Sequence, residues 1–208
     1  MKLTDMFELC YCLNLDERTD RWELAQKEFE KIGVTPQRFS AIRDDNPAFG
    51  CLKSHIEMLR IADKEGKGVF IFEDDVEFLD GAKEVIEKAV YELTYEATAW
   101  GMFYLGGNIL KPFEQVTEHL ALLNHCQSTH AYGIHKDHVR GILTFLERNS
   151  FFIDVLYAEG IIPAINSYIT VPMVAIQRSD YSDIEKHVMT YDVPIARYNQ
   201  HLIPLTKS

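Results

Sequence analysis

The sequence is poor in cysteine: four thiols in 208 residues, Cys10, Cys12, Cys51 and Cys126, with no C-x-x-C pair among them. A structural zinc site needs closely spaced thiolate ligands, so this spacing argues against one. Cys10 and Cys12 are two apart in an apolar stretch and share one face of a strand. All four read as reduced thiols, most of them buried, as in a cytosolic compartment. Long apolar runs are also missing. No window approaches the ~20 residues that a membrane span requires. The opening Met1-Lys2-Leu3-Thr4-Asp5 lacks the basic and apolar regions of a secretory signal. The expectation is a cytoplasmic protein, peripheral to a membrane at most. Basic residues are scarce too. There are 21 Lys and Arg against 32 Asp and Glu, for a formal net charge of -11. Nucleic-acid binding depends on clustered cations, so nucleic acid is excluded as a partner. Repeats, low-complexity tracts and Pro/Gly/Ser linkers are absent.

What is present is a well-mixed globular composition, 47% hydrophobic, enough for one core and a single domain over residues 1–208. Phe7 to Leu15 reads as a buried first strand. Asp16 or Asp20 is expected to cap the next helix, with Asp20 and Glu23 resembling a capping box. Trp22, Ala25, Phe29 and Ile32 keep helical spacing up to Gly33. Arg38 to Ile42 is a short second strand. A second helix is expected from about Gly50 to Glu65, then an apolar strand from Val69 to Phe72. A third helix spans Asp80 to Tyr95, and a strand runs from Gly101 to Leu105. Thr129 to Ile134 reads as extended and Lys136 to Glu147 as helical. Ile161 to Ile165 and Tyr168 to Ile176 read as short strands or extended segments. Alternating strands and helices predict an α/β fold with a mainly parallel sheet flanked by helices. The stretch from Asn108 to Gln127 is the least regular, a lid or an insertion.

The strand Val69 to Phe72 ends abruptly in Glu73-Asp74-Asp75. Ligands of open α/β sheets bind at the carboxyl ends of strands. Three carboxylates crowded there repel one another, and a divalent cation relieves that repulsion. Mg²⁺ and Mn²⁺ favour oxygen donors and bridge carboxylates to diphosphates. A solvated acidic turn is the plainer alternative.

Eight blocks, in order, resemble glycosyltransferase family 25, the lipooligosaccharide and collagen galactosyltransferases. They are Leu13 to Trp22 (LNLDERTDRW), Arg38 to Ala41 (RFSA), Gly50 to His55 (GCLKSH), Phe70 to Val76 (FIFEDDV), Tyr104 to Gly107 (YLGG), Thr129 to Tyr132 (THAY), Ile153-Asp154, and Gln177 with Ser182-Asp183-Ile184. The chain departs from the family at Glu17, where a basic residue is common, and lacks the glycine that usually precedes the SDI. The resemblance implies a GT-A type fold, a Rossmann-like nucleotide-binding core. About 1–107 would bind the nucleotide sugar and about 108–208 the acceptor. It implies inverting transfer of a hexose, typically galactose, from a UDP-sugar to a saccharide or glycoconjugate hydroxyl, with Mn²⁺ or Mg²⁺.

Roles follow for particular residues. Asn14, Asp16, Arg18 and Arg21 sit where the first strand ends. Either guanidinium stacks on a uracil or meets a phosphate, or forms a surface salt bridge with Asp16 or Asp20. Ser54 and His55 are candidates for the sugar or ribose. Glu73 and Asp75 are expected to point together and Asp74 away. Asp75 is then the metal ligand and Asp74 the ribose contact, and Glu73 touches metal or nucleotide. His187 or His130 is a candidate third ligand. Asp154 is the candidate base for the acceptor hydroxyl, against a plain helix cap, with Asp183 the second choice. Gly106 and Gly107 are expected to let the backbone approach the sugar.

Two other readings compete. A sugar nucleotidyltransferase normally carries a Gly-rich basic loop after its first strand, and here no glycine occurs before Gly33. A degenerate, non-catalytic nucleotide-sugar or cation-binding domain is the other.

Overall fold

A computed structural model describes residues 1–97, 99–178, 180–181 and 188–189. The elements in chain order are α1 (Leu3–Met6), β1 (Leu9–Asn14), α2 (Thr19–Ile32), β2 (Gln37–Ser40), α3 (Pro47–Glu65), β3 (Val69–Glu73), β4 (Val76–Phe78) and α4 (Ala82–Tyr95). There follow β5 (Met102–Tyr104), β6 (Glu114–Gln115), β7 (Leu120–Leu122), β8 (Ala131–Ile134), α5 (Lys136–Glu147), α6 (Ile153–Leu156), a π-helical turn (Tyr157–Ile161), β9 (Ser167–Thr170) and β10 (Ala175–Gln177). A last two-residue pair, β11 (Asp180–Tyr181) and β12 (Val188–Met189), is antiparallel.

Eight strands form one sheet in the order β2-β1-β3-β8-β5-β9-β7-β6. β2, β1, β3, β5, β9 and β6 run one way, and β8 and β7 run the other. This is the expected α/β sheet, mostly parallel in strand direction. The two reversals have a local cause. A parallel neighbour needs a crossover connection, usually a helix. The chain between β5 and β8 contains no helix. Residues 108–127 instead form the β6–β7 hairpin, which extends the sheet edge through β9.

Side-chain alternation divides the core into two layers. Tyr11 and Leu13 of β1, with Val69 and Ile71 of β3, pack with Leu52, Met58 and Leu59 of α3 and Val139, Ile142 and Leu146 of α5. Cys12, Phe70 and Phe72 face the other way, onto Ala25, Phe29 and Ile32 of α2 and Ile86, Ala89 and Leu93 of α4. Both faces of the central strands are thereby buried, which explains the unbroken apolar VFIF run.

Several boundaries differ from the sequence expectation, for local reasons. α2 begins at Thr19 with Arg18 at its N-cap, so neither Asp16 nor Asp20 caps it; Asp20 lies in the first turn and pairs with Arg18. α3 starts three residues early, at Pro47. The Asn46 side chain accepts the Ala48 amide at 3.1 Å, and Pro47 occupies a position where no N–H is needed. Gly33 and Gly66 close α2 and α3 with φ of 68° and 67°, the left-handed cap conformation. Ile161 to Ile165 is not extended. Tyr157, Ala158, Ile161 and Ile162 are buried at helical spacing and continue α6 as the π turn. Tyr168 to Ile176 divides into β9 and β10 around Pro172, which has no amide to give to a ladder. β4 was not expected. It pairs antiparallel with β10, opposing Val76 to Gln177. The four cysteines are free. No helix among the described residues is long and apolar enough to cross a membrane.

Candidate functional site

Three parallel strands deliver their last residues to one edge of the sheet. The register sets Asn14 opposite Ser40 and Leu13 opposite Glu73. The loops beyond this edge enclose a cleft of about 360 Å³, within the size range of small-ligand sites. Glu73, Asp74 and Asp75 line it, together with Asn14, Arg21, Arg43, Cys51, Gln177 and Arg178.

The three acids have different environments. Glu73 is the last residue of β3 and points to the α3 side. Its Oε1 accepts the Thr129 hydroxyl at 2.5 Å and stands 3.5 Å from His55 Nε2. Burial raises its pKa, but the histidine and the hydroxyl outweigh it, so the carboxylate titrates below its ordinary range. Asp74 points to the α2 side. Asn14 donates to its Oδ2 at 2.6 Å and Arg21 to its Oδ1 at 3.2 Å. Burial still leaves its pKa raised. Asp75 lies past the strand, its Oδ2 3.5 Å from the Gln177 amide nitrogen. Its Oδ1 is buried without a hydrogen-bond partner. Burial first, then the charges of Glu73 and Asp74, push its pKa up to about 8.

That orphaned oxygen tests whether a cation fits. A buried acceptor without a donor is costly, and so is a carboxylate facing two others. Asp75 offers a carboxylate oxygen, the donor that Mg²⁺ and Mn²⁺ favour, whereas Glu73 and Asp74 are turned to other partners. Of the three acids, Asp75 is the one that fits as a ligand of such an ion.

The remaining candidates are unevenly placed. Arg21 is buried and reaches the cleft floor. Arg18 pairs with Asp20 at 3.1 Å, and Asp16 is exposed, accepting from Ser40 at 2.8 Å; neither lines the cleft. Ser54 and His55 are fully buried. The Ser54 hydroxyl donates to the Gly50 carbonyl at 2.7 Å and accepts the Ile42 amide at 2.8 Å, fastening the loop that forms one cleft wall. Gly106 and Gly107 approach protein closely. A Cβ on Gly106 would lie 1.8 Å from the Ala175 carbonyl oxygen, and one on Gly107 would lie 2.3 Å from Cys126 Sγ. Asp154 is half-buried in the first turn of α6, its Oδ1 accepting the Val155 amide at 2.8 Å; the N-cap is Phe152. Asp154 does not line the cleft, although its charge, after burial and Glu73, helps to hold the Cys51 thiol up. His130 is buried behind the site, its Nδ1 2.5 Å from the Ser128 hydroxyl. Asp183 and His187 lie outside the described residues.

Sequence reasoning passed over two cleft residues, Gln177 and Arg178, and one behind the cleft wall. That one, Arg38, donates to Asn14 Oδ1 at 2.8 Å and so orients its amide toward Asp74. Gln177 and Arg178 reach the triplet only through the β4–β10 pairing. The Arg178 amide donates to the Asp75 carbonyl at 2.7 Å, and its Nη1 is buried without a hydrogen-bond partner. The block containing Gln177 was the one signal for either of the last two, and it carried no role.

No protein-family model and no curated protein matches this chain. Among solved structures it is similar to the crystal structure of a glycosyltransferase involved in glycosylation of the major capsid of PBCV-1. The identity is 11%, covering 93% of this chain and 97% of that one, with a TM-score of 0.49. It is also similar to A197 from STIV, at 13% identity over 88% of this chain and 96% of that one, with a TM-score of 0.41.

Proposed function

We propose that this chain is a metal-dependent glycosyltransferase of the GT-A type, related to family 25. It would move a hexose, galactose by the family resemblance, from a UDP-sugar to a saccharide or glycoconjugate hydroxyl. The observation that carries this reading is Asp75: a half-buried residue whose Oδ1 is buried and without a hydrogen-bond partner, pressed by two other acids at the carboxyl end of a central parallel strand. Such a group suits a cation, and a cation there suits a diphosphate.

Asp75 would hold Mn²⁺ or Mg²⁺, with His187 proposed as a further ligand. The ion supplies Lewis-acid stabilisation of the departing diphosphate. Arg178, with its unpartnered Nη1, and Arg21 supply fixed positive charge for the same phosphates. Asn14 and Asp74 form the floor on which the nucleoside rests. Asp154 takes the proton from the acceptor hydroxyl as that oxygen attacks the anomeric carbon and the bond to UDP breaks, which inverts the centre. Asp183 is the second choice for this base.

The experiment is calorimetric titration of UDP with and without Mn²⁺, followed by UDP release from a panel of UDP- and GDP-sugars. Tight, Mn²⁺-dependent UDP binding is expected. No binding and no release from any donor would leave the proposal without support and favour a degenerate cation-binding domain.

A further inference from the structure

Behind the triplet, α3 brings a thiol and an imidazole onto one face. Cys51 and His55 are four residues apart, hence stacked on the side of the helix that meets β3. Glu73 completes a group of three whose ligand atoms all lie within 4.8 Å of one another, and no other such group occurs among the described residues. We propose that Cys51, His55 and Glu73 form a second metal site, distinct from that of Asp75, which takes a thiophilic dication of the zinc class.

Two independent features support it. The first is His55 Nε2, which is fully buried, aimed at Glu73 and without a hydrogen-bond partner. It stands 3.5 Å from Glu73 Oε1, about the separation of two ligands around a tetrahedral ion with bonds of ~2.1 Å. The second is the other side of the ring. Nδ1 lies 2.6 Å from the Tyr132 hydroxyl, which in turn lies 3.1 Å from the Tyr157 hydroxyl. With a dication on Nε2, Nδ1–H would donate to Tyr132, and an outer partner of this kind is what orients a metal-bound histidine. The Cys51 thiol would bind the dication as its proton leaves to water.

The donor set separates the two sites. One thiolate, one imidazole and one carboxylate suit zinc and cobalt, whereas Asp75 offers oxygen alone to a harder ion. Cys51 and Glu73 line the cleft, so the fourth position opens toward it. The site escapes a search for C-x-x-C because it has a single thiol and draws one ligand from another element. It does not depend on the nucleotide-sugar reading.

The test is a Co²⁺ titration of the full chain, followed by the near-ultraviolet thiolate-to-cobalt charge-transfer band. The band is expected in the native protein and in Asp75→Asn. Cys51→Ser, with its fold checked by circular dichroism, should lose the band and weaken Zn²⁺ binding at least about a hundredfold. No band at saturating Co²⁺, or an equal band in Cys51→Ser, overturns the proposal. A second measurement uses the native chain alone. Zn²⁺, but not Mg²⁺, should slow alkylation of Cys51 about tenfold or more by peptide mass spectrometry, and unchanged labelling counts against the site. A cobalt band in a protein that never binds UDP would support this site while removing the proposed function.

Discussion

Asn14 donates its amide to Asp74 across 2.6 Å while accepting from Arg38 at 2.8 Å, so one buried side chain joins β1, β2 and the acidic triplet. Asn14→Ala removes a donor from Asp74 and an acceptor from Arg38. Leaving such groups unsatisfied costs about 1–3 kcal/mol. Chemical denaturation should show that loss, and UDP affinity should fall with it because the triplet loses its fixed position.

Asp75 and Asp154 should fail in different ways. Asp75→Ala is expected to abolish Mn²⁺-dependent UDP binding in calorimetry. Asp154→Ala should keep that binding and lose UDP-sugar turnover by about 100-fold or more, the scale of general-base catalysis. If Asp154→Ala retains full turnover, the base is another group, with Asp183 next to examine.

Arg178 is the cation that only the fold brings to the cleft. A charge-assisted bond is worth about 1.5–3 kcal/mol, so Arg178→Ala should weaken UDP binding roughly 10- to 100-fold. Uridine, which has no phosphates, should bind the variant and the native protein alike. An equal loss for uridine would point to a collapsed cleft instead.

Gly106 tests the packing behind the site. Alanine there would place its Cβ 1.8 Å from the Ala175 carbonyl oxygen, a contact that β10 cannot keep. Overpacking of this sort costs about 1–3 kcal/mol or more. Thermal melting should register it, and Gln177 at the end of β10, with Arg178 directly after it, should lose their hold on Asp75.

The Glu92–His119 pair sets a pH dependence remote from the cleft. Burial raises the Glu92 pKa, but the Thr117 hydroxyl, the His119 ring at 2.6 Å and the His119 amide at 2.8 Å lower it further than burial raises it. A carboxylate with a depressed folded pKa stabilises the fold above its unfolded pKa. That contribution is lost as pH falls through the folded value. The native chain should therefore weaken on acidification below the ordinary carboxylate range, and Glu92→Gln should show a shallower acid slope in denaturant titrations.

Much of the framework was written in local pattern. The 3.6-residue spacing of Trp22, Ala25, Phe29 and Ile32, closed by Gly33, marked α2, and the unbroken VFIF marked a strand buried on both faces. Alternation along β3 separated Glu73 from Asp74 correctly, since the one faces His55 and the other Arg21. The same rule lapsed at Asp75, which lies beyond the last ladder pair. Its neighbours come from β10, 102 residues away.

By itself, then, the sequence determined which segments could become strands and helices, and that three acids would stand at a strand's carboxyl end. Periodicity and burial are local properties, legible without knowing any partner. Only the tertiary structure decided what those acids meet. It tied Asp74 to Asn14 and Arg21, set His55 and Cys51 behind Glu73, and brought Gln177 and Arg178 to Asp75 through an antiparallel pair. Hydrogen bonds and desolvation act over a few ångströms of space regardless of chain separation. The charge state of Glu73, Asp74 and Asp75 therefore belongs to the fold and not to the triplet.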